Sequence, residues 1–266
     1  MKKVFFIDID GTILDSKTEV SDYNIEALNS ARKAGHKVFI NTGRGKACIP
    51  KPILDLPLDG IVSGCGCTVT VDGADVYSDC PPLDDIIRYA EGVFKKGQHC
   101  FLEGENYLFR INCSPEDETD DPFFAEYIRT ARLDYGIWHP LRSAEDLRDY
   151  PDARIPKFNL VGSFDISEVD GYREHFDGVV DNCKCEMYSK GNSKATGLDY
   201  VMKNHFPGYI SVAIGDSEND REMLAAADVS VAMGNANDGI KALCTVVTDT
   251  CDNDGMGKAV LKLMKE

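Results

Sequence analysis

Three short apolar runs that each end in a polar residue of catalytic type constrain this chain most. Val4–Ile7 runs into Asp8, Lys37–Ile40 into Asn41-Thr42, and Tyr209–Ile214 into Gly215-Asp216. Continuously apolar runs of this length suit strands buried on both faces, as in a parallel sheet covered by helices. In open parallel sheets, ligands bind at the carboxyl ends of strands near the point where strand order reverses. Segments far apart in sequence are therefore expected to converge on one site.

Further strands are expected at Gly60–Val62, Val229–Val231 and Thr245–Val247. Between the first two strands the spacing of Ile25, Leu28 and Ala31 predicts a helix, with Ser21 as its N-cap and Gly35 as its left-handed stop. A second helix is predicted from Ser193 past Leu198, Val201 and Met202, ending before Pro207-Gly208. The stretch 81–187 differs. Pro81-Pro82 opens it, and a helix-like Asp84–Lys95 precedes strand-like Cys100–Leu102 and Tyr107–Cys113. An acidic loop, Glu116–Asp121, follows, then another helical pattern and strand-like Phe158–Phe164. Alternating strands and helices on either side of a hairpin-rich middle predict an α/β fold: a Rossmann-like, doubly wound parallel sheet over 1–80 and 188–266, with a separate α+β unit inserted over 81–187.

Charge narrows the function classes. The 266 residues carry 29 Lys and Arg against 45 Asp and Glu, a net charge of −16. No nucleic-acid partner is expected, because phosphate backbones are held by a surplus of basic residues. An anionic membrane surface is disfavoured for the same reason. A small anionic substrate needs local positive charge, from a metal or a placed Lys. The opening apolar run stops at Asp8, too soon for an export signal, and no stretch approaches the length of a membrane span. The ten cysteines are therefore expected as reduced thiols in a cytoplasmic protein.

Four segments could carry chemistry. In Asp8-Ile9-Asp10-Gly11-Thr12, two carboxylates two apart fall on one side of an extended chain, where a divalent cation or divided protonation roles would relieve their repulsion. The same residues suit a strand-terminating turn. Thr42-Gly43-Arg44 offers a hydroxyl, backbone N–H groups and a guanidinium to phosphate oxygens, or makes an ordinary strand-to-helix turn. Lys190-Gly191-Asn192-Ser193-Lys194 opens a helix, where the Lys194 ammonium and N–H groups both favour phosphate, or it places a solvated surface lysine there. Gly215-Asp216-Ser217-Glu218-Asn219-Asp220 supplies a hard oxygen ligand in Asp216, with Asn219 and Asp220 beside it, and equally reads as a helix cap.

Taken together, in this order, the four segments resemble the haloacid dehalogenase superfamily, and most of all its Cof-like sugar-phosphate phosphatases with a type IIB cap. The resemblance covers the whole chain and extends to Val231-Ala232-Met233-Gly234-Asn235-Ala236. It implies Asp8 as nucleophile, forming an aspartyl-phosphate, and Asp10 as the acid that protonates the leaving alcohol and then activates water. It implies that Thr42, Gly43, Arg44, Lys194 and Asn219 bind the substrate phosphate. Mg²⁺ would be held by Asp8, the Asp10 carbonyl and Asp216, with Asp220 in support. The implied substrate is a small phosphorylated metabolite, a sugar phosphate first, and the protein a monomer or small homo-oligomer. A phosphomutase of the phosphomannomutase type and a non-catalytic sugar-phosphate sensor are the alternatives.

One stretch departs from the family. Ser63-Gly64-Cys65-Gly66-Cys67 stands where an Asn-Gly-Ala-like sequence is usual. Buried thiols are the expectation there, against a zinc site of Cys65 and Cys67 with Cys183 and Cys185, whose C-x-C spacing is narrow for structural zinc. The histidines His36, His99, His139, His175 and His205 form no ligand spacing, and Trp138-His139-Pro140 is expected as a packed loop of the cap.

Overall fold

A computed structural model describes residues 1–95, 99–111, 125, 137–161, 172–181 and 184–266. In chain order the strands are β1 (Lys3–Ile7), β2 (Lys37–Asn41), β3 (Gly60–Ser63), β4 (Thr68–Val71), β5 (Ala74–Ser78), β6 (His99–Glu103), β7 (Leu108–Ile111), β8 (Trp138–Leu141), β9 (Lys157–Val161), β10 (Phe176–Asp181), β11 (Lys184–Ser189), β12 (Ile210–Gly215), β13 (Val229–Ala232) and β14 (Val246–Val247). The helices used below are α1 (Asp22–Lys33), α2 (Leu83–Lys95) and α3 (Lys194–Asn204). Among the described residues no helix is long and apolar enough to cross a membrane.

The chain divides into two compact units. The first comprises Met1–Gly43, Lys51–Tyr77 and Ser193–Glu266, and the second Arg44–Pro50 and Ser78–Asn192. The first unit is built on one sheet in the order β14-β13-β12-β1-β2-β3-β4-β5. Pairing is parallel from β14 through β3, and β3 pairs antiparallel with β4. β1 is fully buried, as its unbroken Val4-Phe5-Phe6-Ile7 demands. Its two neighbours, β2 and β12, begin 173 residues apart in the chain, at Lys37 and Ile210.

 The order of strands therefore reverses at β1, which places the carboxyl ends of β1, β2 and β12 side by side.

The expected strands and both helices of this unit form, with Ser21 accepting from Asn24 N at the start of α1 and Gly35 at φ +83° behind it. The antiparallel pair β4 and β5 was not expected. Its signal is Asp72-Gly73, both at positive φ (+48° and +80°), the conformation that two-residue hairpin turns require. β4 thus extends a parallel sheet by an antiparallel edge.

The second unit holds a sheet in the order β10-β11-β9-β6-β7-β8, antiparallel except between β7 and β8. α2 covers one face, packing Ile86, Ile87, Tyr89, Ala90 and Val93 against Leu102, Phe109, Phe158 and Leu160. Trp138-His139-Pro140 is strand here, not loop, paired with β7, and Tyr150 Oη lies 3.1 Å from His139 Nδ1. The acidic Glu116–Asp121, the helical pattern after it, Cys183 and the side chain of Cys185 lie outside the described residues.

Candidate active site

Each strand end delivers one segment of the site. β1 stops at Asp8, whose N–H donates to the Ile214 carbonyl of β12 (3.0 Å). The chain then turns through Asp10 (φ −76°, ψ 119°) and Gly11 (φ +75°). A Cβ on Gly11 would stand 2.5 Å from Asp216 Oδ2, so only glycine lets this turn approach the end of β12. Gly215 is equally constrained, its hypothetical Cβ lying 2.5 Å from Asp220 Cγ.

Lys194 joins these segments. Ser193 caps α3 by accepting from Thr196 N, and Asn41, at the end of β2, donates from Nδ2 to the Lys194 carbonyl (2.8 Å). So held, Lys194 Nζ donates to Asp8 Oδ1 and Asp220 Oδ1, both at 2.6 Å, and to Asn219 Oδ1 at 3.1 Å. Asp8, Lys194 and Asp220 are all buried. Asp220 Oδ2 accepts the N–H groups of Asp216 and Ser217, both at 3.0 Å, so this carboxylate caps a turn and grips the lysine at once.

Asp216 is half-buried. Its Oδ1 accepts from Thr12 Oγ1 and its Oδ2 from Asn235 Nδ2, both at 3.3 Å. Asn235 also donates to the Gly11 carbonyl (2.9 Å), tying the turn after β1 to the loop after β13. Neither Thr12 nor Asn235 was singled out from the sequence, yet Asn235 carries the same signal as the others: a polar residue just beyond a strand's carboxyl end.

The charges strain against one another. Burial, then the Asp220 charge, push the Asp8 carboxyl up to about 8, with Lys194 opposing. Burial and Asp220 raise Asp216 to about 6. Burial pulls the Lys194 ammonium down, but Asp220 and Asp8 outweigh it and hold it above its usual value. Asp10 is exposed, and its charge adds to the rise at both Asp8 and Asp216. Oxygens of Asp8, Asp216 and Asp220 lie within 4.8 Å of one another. Three hard donors around one buried lysine leave negative charge that a divalent cation would relieve, and oxygen-only donors suit Mg²⁺. The Asp10 carboxylate is not in this trio.

Thr42 is buried, its N–H donating to the Val62 carbonyl (2.9 Å) and its carbonyl accepting from Cys65 N (3.2 Å). Gly43 ends this part of the first unit, whereas Arg44 belongs to the second, where its Nη1 donates to the Cys48 carbonyl (3.2 Å). Cys65 and Cys67 are buried and form no disulfide, and among the described residues no cysteine joins a group that could hold a metal. His36 accepts from Lys3 N (3.0 Å) and serves packing.

Residues 5–260 match the model of the haloacid dehalogenase-like hydrolases. The chain is 36% identical over 266 residues to the 5-amino-6-(5-phospho-D-ribitylamino)uracil phosphatase YitU of Bacillus subtilis (strain 168), covering 95% of this chain and 94% of that protein. It is 25% identical to the pyridoxal phosphate phosphatase YbhA of Escherichia coli (strain K12), covering 97% of each. Among solved structures, the subclass IIB sugar phosphatase BT4131 is similar, with a TM-score of 0.77, 26% identity and 99% of each chain covered. The match spans nearly the whole sequence, and the chain belongs to the haloacid dehalogenase-like hydrolase family.

Proposed function

We propose that this chain is a Mg²⁺-dependent phosphatase that hydrolyses a phosphate monoester of a small metabolite, a sugar phosphate first among them, through an aspartyl-phosphate on Asp8. That it is a phosphoric monoester hydrolase rests on its family and on relatives named as phosphatases. The observation that carries the mechanism is the buried Lys194 held 2.6 Å from both Asp8 and Asp220.

A carboxylate facing a phosphate ester must overcome charge repulsion before it can attack. Lys194 supplies a fixed positive charge beside the Asp8 oxygen and, with Thr42, the Gly43 N–H and Asn219, holds the phosphoryl oxygens. Arg44 is the remaining candidate for them. Asp10 is exposed beside the left-handed Gly11, and its task is to give a proton to the leaving oxygen and then to take one from water. Mg²⁺ would be held by Asp8, Asp216 and the Asp10 carbonyl, with Asp220 supporting, and when bound supplies positive charge against the phosphoryl group. The second unit, corresponding to the cap expected over 81–187, selects the leaving group. The cysteines seen outside any disulfide, such as Cys48, Cys65 and Cys67, suit a cytoplasmic enzyme.

The test is Asp8→Asn. The variant should fold, and should release no phosphate from p-nitrophenyl phosphate with Mg²⁺ present. Substantial release by that variant would overturn the assignment.

A further inference from the structure

The segment Arg44–Pro50, directly behind Thr42-Gly43, belongs to the second unit, and its attachment there is specific. Glu103, at the end of β6, is 1% exposed. Its Oε2 accepts the Gly45 N–H at 2.6 Å, and its Oε1 accepts from Asn159 Nδ2. Lys157 Nζ lies 3.9 Å from Glu103 Oε1 and 3.1 Å from Glu186 Oε2, so the buried carboxylate has a buried counter-charge. One residue on, Ala47 N donates to the Gly104 carbonyl (3.2 Å).

Gly45 has φ −59°, which any residue adopts, so its identity is not set by its backbone. It is set by space: a Cβ there would stand 2.6 Å from Glu103 Cβ. A glycine with ordinary dihedrals, a buried acid receiving its N–H and a second backbone bond two residues later together describe a dock. Arg44 closes the turn from within by its bond to the Cys48 carbonyl.

We propose that Glu103 is a positioning residue for the phosphate loop, docking the Arg44–Pro50 strap on the second sheet so that Thr42 and Gly43 are anchored from both ends. On their amino side the anchor is β2, and on their carboxyl side it is this dock. The role rests on the reading that Thr42 and Gly43 hold the substrate phosphate. Loosening one anchor spreads the positions of both residues and weakens phosphate binding more than the later chemistry.

The experiment compares wild type with Glu103→Ala, Glu103→Gln and Gly45→Ala, by amide hydrogen exchange across 44–50 and by KM and kcat for p-nitrophenyl phosphate with Mg²⁺. Loss of one charge-assisted hydrogen bond predicts about tenfold faster strap exchange and about tenfold higher KM in Glu103→Ala and Gly45→Ala, with kcat changed less. Glu103→Gln keeps an oxygen for the Gly45 N–H and should recover most of both losses. Gly45→Ala leaves the buried charges intact and carries the test if Glu103→Ala does not fold. Unchanged strap exchange in the folded variants would overturn the dock, and freed straps with an unmoved KM would overturn the positioning role alone. A wild type that releases no phosphate would instead overturn the reading of function, and the positioning role with it.

Discussion

Lys194 Nζ and Asp8 Oδ1 lie 2.6 Å apart, joining positions 186 residues apart in the chain inside a buried site. The same ammonium serves Asp220 at 2.6 Å, so its loss would leave the fully buried Asp220 carboxylate without its cation. Lys194→Met should therefore cost about 3–5 kcal/mol, the range for breaking a buried ion pair from one side. Thermal unfolding at neutral pH checks this, and a variant as stable as wild type would refute it.

Asp8 predicts a pH effect of unusual sign. Its carboxyl is raised from an ordinary 3.8 to about 8, so the folded state holds a proton that the unfolded state has released. Stability from this group is full below 3.8 and is lost as pH rises through about 8. Asp216, raised to about 6, acts in the lower part of the same window. In metal-free protein, wild type should lose stability relative to Asp8→Asn between about pH 4 and 8. Added Mg²⁺ should reverse that trend in wild type only, because the cation favours the ionised carboxylate. Melting curves with Mg²⁺ or with chelator, at stepped pH, measure both arms.

The candidate site was legible because its residues stand where sheets place ligands: Asp8 and Asp216 each follow an apolar strand, and β1 is the strand at which order reverses. Asp220 shows why motif reading left alternatives open. It accepts the Asp216 and Ser217 N–H groups through Oδ2, as a turn cap, and the Lys194 ammonium through Oδ1, a pairing that its place in the motif does not announce. Asp72-Gly73 carried a hairpin signal, but Thr68–Val71 alternates with polar Thr and lacks the continuous apolar run that marked the other strands. The Glu103 dock was not legible at all. Its partners Gly45 and Asn159 are 58 and 56 residues away, and nothing local at Glu103 distinguishes it from a solvated acid.

Gly66 and Gly73 offer a matched contrast. Both have positive φ, +90° and +80°. A Cβ on Gly66 would collide with the Ser193 carbonyl oxygen at the start of α3, whereas one on Gly73 meets nothing within 4 Å. Gly73→Ala should cost about 1 kcal/mol of backbone strain and leave activity unchanged. Gly66→Ala adds about 1–3 kcal/mol of overpacking and, by shifting the turn that carries Lys194, should also lower Mg²⁺-dependent phosphate release. Equal activity in the two variants would refute the link from Gly66 to Lys194.

Asp59 holds the first unit together away from the site. It accepts from Arg32 Nε (3.0 Å), Lys37 Nζ (3.0 Å) and Val38 N (3.0 Å), and is 4% exposed. Burial raises its carboxyl, but the bonds from Arg32, Val38 and Lys37 outweigh this and leave it below the usual value. Its contribution is present above pH 3.8 and lost as pH falls through the lower folded value. Asp59→Ala should cost about 1–3 kcal/mol at neutral pH with KM unchanged. A calorimetric difference from wild type that persists undiminished in acid would contradict this.

Asp10 gives the sharpest test of reaction type. Its proposed task is to protonate the leaving oxygen, so its worth depends on how badly that oxygen needs a proton. An alkoxide leaving from a sugar phosphate needs one, whereas p-nitrophenolate leaves well without it. Asp10→Ala should lose about 10²–10⁴-fold in kcat with an alkyl phosphate, the usual range for general acid catalysis, and less with p-nitrophenyl phosphate. Because Asp10 is exposed and outside the close carboxylate trio, the variant should fold and keep its stability. The second step complicates the aryl substrate, since Asp10 is also assigned to activate water against the aspartyl-phosphate. A burst of p-nitrophenol followed by slow turnover would therefore accompany the loss, whereas equal losses on both substrates without a burst would remove Asp10 from the acid role.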